Sequence, residues 1–353
     1  IAEFPNAMGR MVTSVFIEND GREEWTALKD SPDYKNLSVD ELKEKIKSAG
    51  IVGLGGAAFP TSVKLSPPKE KHIDTVIING AECEPYLTAD YRLMIERPDE
   101  IIEGLRIIMK VLGVSKGFIG IEDNKPDAVE RMTQAAGRDP EIMVLALEVK
   151  YPQGAEKMLI KAVTGREIPP RGLPMDVNVV VQNVGTALAI YEAARFGKPL
   201  IERVVTVTGE GINRPSNLMV RIGTPVSALI DECGGFRGIS GKVIAGGPMM
   251  GFALSSLDVP VTKGTSGILV IPEGEVIHAN DFETCIRCGR CIDVCPMGLM
   301  PSMLSVLSEK AHYEDTKEYN IFDCFECGSC AYVCPSKRPI VQFIRLAKSL
   351  IKP

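Results

Sequence analysis

The chain has 353 residues, with 40 Lys and Arg against 46 Asp and Glu and a formal net charge of −6; apolar residues make up 45% and charged residues 24%. This is the balance of a globular protein long enough for two or three domains with a sizeable core. The mild negative charge argues against a nucleic-acid partner, and no uncharged apolar run reaches the roughly eighteen residues that a bilayer span needs.

The chain begins at Ile1 without an initiator Met, so upstream residues are expected to be missing; no secretory signal is evident. Residues 1–24 read as short strand pieces with turns, since the apolar run at 11–18 is followed by Asn19-Asp20-Gly21. Ser38-Val39-Asp40-Glu41 is a capping box, and Leu42, Ile46 and Ala49 continue it as an apolar stripe that Gly50 ends. Then comes Gly53-Leu54-Gly55-Gly56-Ala57-Ala58-Phe59-Pro60. Glycines so spaced let backbone N–H groups approach a ligand such as a phosphate, and equally make an ordinary turn. The loop follows a helix rather than a strand, so it is a poor dinucleotide fingerprint.

From here strands and helices alternate. Strands are expected at 75–78, 117–121, 142–147 and 177–181, and helices at 98–112, 126–136, 154–163 and 186–196. Alternation of this kind implies a mostly parallel sheet covered on both faces. Ligands of such sheets bind at the carboxyl ends of the strands, which brings 79–85, 151–156 and 182–186 to one edge as the candidate active site. After Arg203 the order becomes strand (204–207), strand (218–222), helix (225–233) and strand (243–245), a small β-grasp pattern. Residues 251–277 read as a β bridge to the last domain.

That domain carries eight of the ten cysteines. The run Cys285, Cys288, Cys291, Cys295-Pro296 is repeated as Cys324, Cys327, Cys330, Cys334-Pro335. C-x2-C-x2-C-x3-C-P is the bacterial ferredoxin spacing for a [4Fe–4S] cluster, in which the fourth Cys ligates the other cluster. Cys285, Cys288, Cys291 and Cys334 would hold one cluster, and Cys324, Cys327, Cys330 and Cys295 the second. Two zinc sites are the plainer alternative, but zinc knuckles need neither a third Cys at the same pitch nor the Pro. Unpaired thiols and cluster ligands suit a reducing cytoplasm. Helices are expected between the runs (299–311) and in the tail (340–351). Cys83 and Cys233 read as buried small hydrophobes, and His72, His278 and His312 lack ligand spacing.

In chain order the glycine-rich loop, Asn79-x-x-Glu82-x-Glu84-Pro85, Tyr151-x-x-Gly154-x-Glu156 and Asn183-Val184-x-Thr186 resemble the NADH-binding flavoprotein subunit of respiratory complex I. With the β-grasp pattern and the two cysteine runs, the chain is more similar to the RnfC family, the NAD(H)-linked subunit of Rnf ferredoxin:NAD oxidoreductase complexes, over about residues 25–353. The resemblance implies an α/β fold: a Rossmann-like, mostly parallel sheet domain (25–200), an SLBB-like β-grasp module (201–250), the β bridge (251–277) and an α-helical two-cluster ferredoxin domain (278–353). Residues 1–24 would be a remnant of a hybrid barrel.

It also implies FMN and two [4Fe–4S] clusters as cofactors and NAD(H) as substrate. Gly53, Gly55 and Gly56 would line the FMN site, with Lys64 at its phosphate, Asn79, Ala81 and Glu82 beside the ring, Tyr151 and Gly154 against the flavin, and Asn183 and Thr186 on the phosphate side. Ala57, Phe59, Glu84 and Glu156 would line the nicotinamide cofactor. The implied partners are the membrane-embedded and iron–sulfur subunits of an Rnf-type complex, with this subunit peripheral on the cytoplasmic face of the membrane. Two positions depart from the complex I pattern: Leu54 stands where those subunits carry Arg, and Ala155 where they carry a second Glu. These motivate an alternative, a relay module with intact clusters and a degenerate flavin site; a subunit of a soluble reductase system is another. Taken singly, each residue has a plainer reading: Glu82 and Glu84 as solvated charges, Tyr151 and Phe59 as core aromatics, Asn79 and Asn183 as turn formers, Lys64 as a surface lysine.

Overall fold

The computed structural model describes residues 1–5, 11–22, 24–276 and 281–352; His278 lies outside them. The first elements are a short antiparallel pair, β1 (Ala2–Pro5) and β2 (Met11–Ser14). Helix α1 (Val39–Ser48) starts at the expected capping box, with Ser38 and Glu41 bonding reciprocally, and buries Leu42 and Ile46. A single turn, α2 (Thr61–Lys64), follows the glycine-rich loop.

The α/β part comprises β3 (Thr75–Gly80), α3 (Ala89–Glu96), α4 (Pro98–Leu112), β4 (Gly117–Glu122), α5 (Pro126–Ala136), β5 (Ile142–Leu147), α6 (Glu156–Thr164), β6 (Val179–Asn183) and α7 (Val184–Phe196). Its four strands are parallel, in the order β5-β4-β3-β6. Alternate residues of β3 feed two cores: Val76 and Ile78 pack with α1, α4, α5 and α7, while Ile77 packs with Leu159 and Ile160 of α6. A strand buried on both faces needs this continuous apolar run.

Several boundaries differ from the sequence pattern, each for a tertiary reason. Strand β6 runs two residues further, to Asn183, and α7 starts at Val184 because the Asn183 side chain accepts from Gly185 N. Helix α6 starts at Glu156, not 154, because the Gly154 backbone is engaged elsewhere. Helix α3 has no local cap; the carboxylate of Glu82 accepts the amides of Asp90 and Tyr91 instead.

The β-grasp part comprises β7 (Glu202–Thr208), β8 (Ser216–Arg221), α8 (Val226–Glu232), β9 (Ser240–Ala245), β10 (Phe252–Ala253) and β11 (Gly267–Pro272). Its mixed sheet has the order β10-β9-β11-β7-β8. The expected bridge at 251–277 is therefore corrected: β11 is the central strand, parallel to β7 and antiparallel to β9. Its run Gly267-Ile268-Leu269-Val270 is buried throughout, as a central strand requires. Helix α8 covers the sheet with Val226, Leu229 and Ile230, and Cys233 is buried in the same core.

The last part has four α-helices among the described residues, α9 (Arg290–Asp293), α10 (Pro301–Glu309), α11 (Ser329–Tyr332) and α12 (Ile340–Leu350). The two cysteine runs share one backbone: Arg287 and Glu326 are both left-handed, as are Gly289 and Gly328, which precede α9 and α11. Among the described residues no helix is long and apolar enough to cross a membrane.

Candidate functional site

Strands β3 and β6 are neighbours, while β4 and β5 extend the sheet beyond β3. The strand order reverses between β3 and β6, and the crevice at such a switch point is where open α/β sheets take ligands. Asn79 and Asn183 are register partners there. Asn79 Nδ2 donates to the Gly154 carbonyl at 2.8 Å, and its Oδ1 accepts from Ala81 N at 3.1 Å. Gly154 N donates to Cys83 Sγ at 3.3 Å. A Cβ on Gly154 would lie 2.0 Å from the Ala81 carbonyl oxygen, so only glycine fits. Asn79, Ala81, Cys83 and Gly154 are thus one knot, in which burial pushes the Cys83 thiol up to about 11.

The glycine-rich loop lies on the β6–α7 turn. Leu54 N donates to Thr186 Oγ1 at 2.9 Å, and that hydroxyl donates to the Val52 carbonyl at 3.3 Å. A Cβ on Gly55 would meet the Asn183 side chain at 3.6 Å. Gly56 has φ +111° and open space where a Cβ would stand. Gly53 is half-buried, whereas Gly55, Gly56, Ala57 and Phe59 are exposed, so Phe59, at 52% exposure, is no core aromatic.

Charged groups are gathered beneath this edge. Asp90 Oδ2 accepts from Asn183 Nδ2 at 2.6 Å. Burial raises Glu82 and Asp90 well above the ordinary carboxylate range, with Asp90 also raising Glu82. Arg203, at the start of β7, faces both; burial lowers it to about 10. Lys125 donates to Glu122 at 3.0 Å and to the Glu82 carbonyl at 3.4 Å. Asp90 and Arg203 carry no signal in the sequence, because their partners lie across the fold. Lys64 Nζ meets Glu156 Oε1 at 2.6 Å, so two expected cofactor contacts face one another. Glu84 accepts the amides of Met249 at 3.1 Å and Met250 at 2.7 Å. Neither Glu82 nor Glu84 is a solvated loop charge. The Tyr151 hydroxyl donates to the Cys327 carbonyl.

The cysteines form two sets that cross the two runs. Cys285, Cys288, Cys291 and Cys334 line one cavity with Ser302 and Arg338. Cys295, Cys324, Cys327 and Cys330 line the other, walled by Leu299, Leu304, Val341 and Ile344. Burial pushes the thiols of Cys324 to about 11 and Cys330 to about 12. Among the described residues no three His, Cys, Asp or Glu side chains converge as ligands of a single ion.

Residues 46–192 match the Nuo51 FMN-binding domain family, residues 204–253 the SLBB domain, and residues 278–335 a 4Fe-4S dicluster domain. Chains of an NAD+-reducing [NiFe]-hydrogenase share the fold, with a TM-score of 0.60 at 16% identity over 91% of this chain and 64% of theirs. The corresponding subunit of the Na(+)-translocating ferredoxin:NAD(+) oxidoreductase complex of Acetobacterium woodii is 48% identical over 99% of this chain and 79% of its own. Its counterpart in the proton-translocating ferredoxin:NAD(+) oxidoreductase complex of Clostridium ljungdahlii is 54% identical over 99% of this chain and 76% of its own. On that identity and coverage, the chain belongs to the RnfC family of ion-translocating ferredoxin:NAD(+) oxidoreductase subunits.

Proposed function

We propose that this chain is the electron-transfer subunit that carries electrons between NAD(H), bound FMN and two [4Fe–4S] clusters in an Rnf-type ferredoxin:NAD oxidoreductase complex. The observation that carries the reading is the sorting of the eight cysteines into two sets of four, each taking its fourth member from the other run, in a chain that also matches an FMN-binding domain. Cys285, Cys288, Cys291 and Cys334 hold one cluster; Cys295, Cys324, Cys327 and Cys330 hold the other.

The flavin edge fits its group on several grounds. Gly56 leaves open space beside an exposed loop, and two buried polar atoms, Thr61 Oγ1 and Gln182 Nε2, have no partner on the segments that flank it. Bound FMN supplies the exchange between two-electron and one-electron chemistry. The chain's own residues bind and orient. Gly53, Gly55 and Gly56 bring backbone amides to the cofactor, with Asn183 and Thr186 holding the loop from below. Lys64 supplies a cation for the phosphate, and its pairing with Glu156 keeps that charge in place. Asn79 fixes Ala81 and Gly154, and Glu82 orders α3 behind them. Tyr151 and Gly154 complete the flavin side. Ala57 and Phe59 offer an exposed apolar and aromatic face to the nicotinamide cofactor. No side-chain nucleophile is required.

The partners are membrane-embedded and iron–sulfur subunits, through which this subunit attaches to the cytoplasmic face of the membrane. The test is the FMN, iron and sulfide content of anaerobically reconstituted protein, followed by titration with NADH. Stoichiometric FMN with bleaching of both chromophores is expected. Iron and sulfide without FMN would leave only a relay module.

A further inference from the structure

Three separate connections run from the α/β part to one cysteine set, two of them from the flavin-side loops. The Tyr151 hydroxyl donates to the Cys327 carbonyl. Arg171 N donates to Asp323 Oδ1, beside Cys324, at 2.7 Å. The third passes through residues 246–251, the loop after β9. On one side Glu84 accepts the amides of Met249 and Met250. On the other, Arg345 of α12 donates to the carbonyls of Met250 at 2.7 Å and Gly251 at 3.3 Å. Arg345 is itself fixed by Glu326, inside the second run, at 2.8 Å, and by the Phe252 ring at 4.2 Å. Gly328 closes the joint: a Cβ there would stand 2.6 Å from the Met249 carbonyl oxygen. Among the described residues no hydrogen bond or ion pair ties 285–291 to the α/β part, and Cys288 is exposed.

We propose that Tyr151, Glu84 and Arg345 are positioning residues that seat the Cys295/Cys324/Cys327/Cys330 site against the flavin edge, making it the direct electron partner of the flavin, with the Cys285 site as the outlet. Glu84 is then a clasp between domains, rather than a ligand of the nicotinamide ribose. The proposal rests on the flavin and cluster reading above. With the cofactors bound, NADH would supply a hydride to the flavin, whose two electrons would leave singly with one proton released to solvent. Each electron would pass through the site held by Cys295, Cys324, Cys327 and Cys330 to the Cys285 site and on to an iron–sulfur partner. Shared backbone contacts fix the separation of donor and acceptor, and the first site is free to meet the partner.

The test uses the full chain loaded with FMN and clusters. A parent protein that binds no FMN would overturn the flavin reading itself. With FMN bound, Cys288→Ala, which removes the first cluster, should leave NADH-driven bleaching of the remaining cluster intact. Cys327→Ala, which removes the second, should leave flavin bleaching intact and abolish cluster bleaching. The reverse pattern overturns the order of sites. Tyr151→Phe keeps the ring and should slow cluster bleaching relative to flavin bleaching in the same sample, and alter the paramagnetic signature of the second cluster alone. Cluster bleaching at the parent rate with an unchanged signature overturns the role of the hydroxyl. In the loaded chain, Glu84→Ala should also speed hydrogen exchange at the Met249 and Met250 amides by about tenfold, the loss of one ordinary hydrogen bond each. Unchanged protection there overturns the clasp.

Discussion

The guanidinium of Arg203 donates to the backbone carbonyl of Leu54 at 3.2 Å. Leu54 occupies the place where the complex I pattern puts an arginine, yet a cation still reaches the loop, from the first strand of the β-grasp sheet. Leu54 itself is 6% exposed and is held through its backbone, by Thr186 on one side and Arg203 on the other. Arg203 is 5% exposed and also donates to the carbonyls of Lys263 and Val204. It therefore joins the two domains while facing the buried acids Asp90 and Glu82.

Arg203→Met should accordingly destabilise the protein by about 2 kcal/mol or more, because it leaves buried carbonyls without their charged donor. Chemical denaturation measures this. Adding Asp90→Asn should recover part of the loss, since it removes one of the two buried acids left facing the gap. A single-variant change within about 0.5 kcal/mol, the range of an ordinary surface substitution, would sink the assignment.

The acids themselves set a pH dependence. Burial raises Glu82 and Asp90, so the folded chain holds protons that the unfolded chain gives up. Where the folded state binds more protons, stability falls as pH rises. Their contribution is therefore full below the ordinary carboxylate range and is lost on passing upward through the raised values. The parent should melt lower at about pH 8 than at about pH 5, and Glu82→Gln should flatten that slope, whatever it does to absolute stability. Equal slopes in the two proteins would mean that Glu82 is not a buried acid.

Gly154 offers a steric test. An alanine Cβ would lie 2.0 Å from the Ala81 carbonyl oxygen and 3.2 Å from Cys83 Sγ, so the Asn79–Gly154 knot must open. Gly154→Ala should cost about 1–3 kcal/mol, as overpacking does, and lower FMN content. Gly274→Ala is the control, since a Cβ there meets nothing within 4 Å. FMN retained at the parent level in Gly154→Ala would detach this knot from the flavin site.

Much of this was legible in local pattern and much was not. Periodicity marks α4, which buries a regular apolar face, continuous apolar runs mark β3 and α7, and Ser38 with Glu41 announces α1. Helix α3 is silent because its cap, Glu82, lies upstream of the helix across a turn. Strand β11 reads as a bridge because its place between β7 and β9 depends on pairing with strands far away in sequence. Within the site, Asn79, Gly154 and Asn183 belong to motifs, so their order exposes them. Arg203 and Asp90 belong to none: what singles them out is burial beside opposite charge, which only the folded chain creates. Glu84 stands in a motif, but its partners Met249 and Met250 lie in another domain.

The fourth cysteine of each run gives the sharpest check of how the chain divides its thiols. Cys334 follows Cys330 in sequence but lines the cavity of Cys285, Cys288 and Cys291. Cys295 follows Cys291 but lines the cavity of Cys324, Cys327 and Cys330. Cys334→Ala should therefore disturb the same cluster as Cys288→Ala, and Cys295→Ala the same cluster as Cys327→Ala. The paramagnetic spectra of the reduced variants distinguish the two outcomes, and iron analysis should show each variant losing up to half of the parent's iron. The apolar walls of the second cavity, Leu299, Leu304, Val341 and Ile344, make its thiolates the harder to sustain without a cluster. If Cys334→Ala shared its spectrum with Cys327→Ala instead, each run would be holding its own cluster and the exchange of ligands would be wrong.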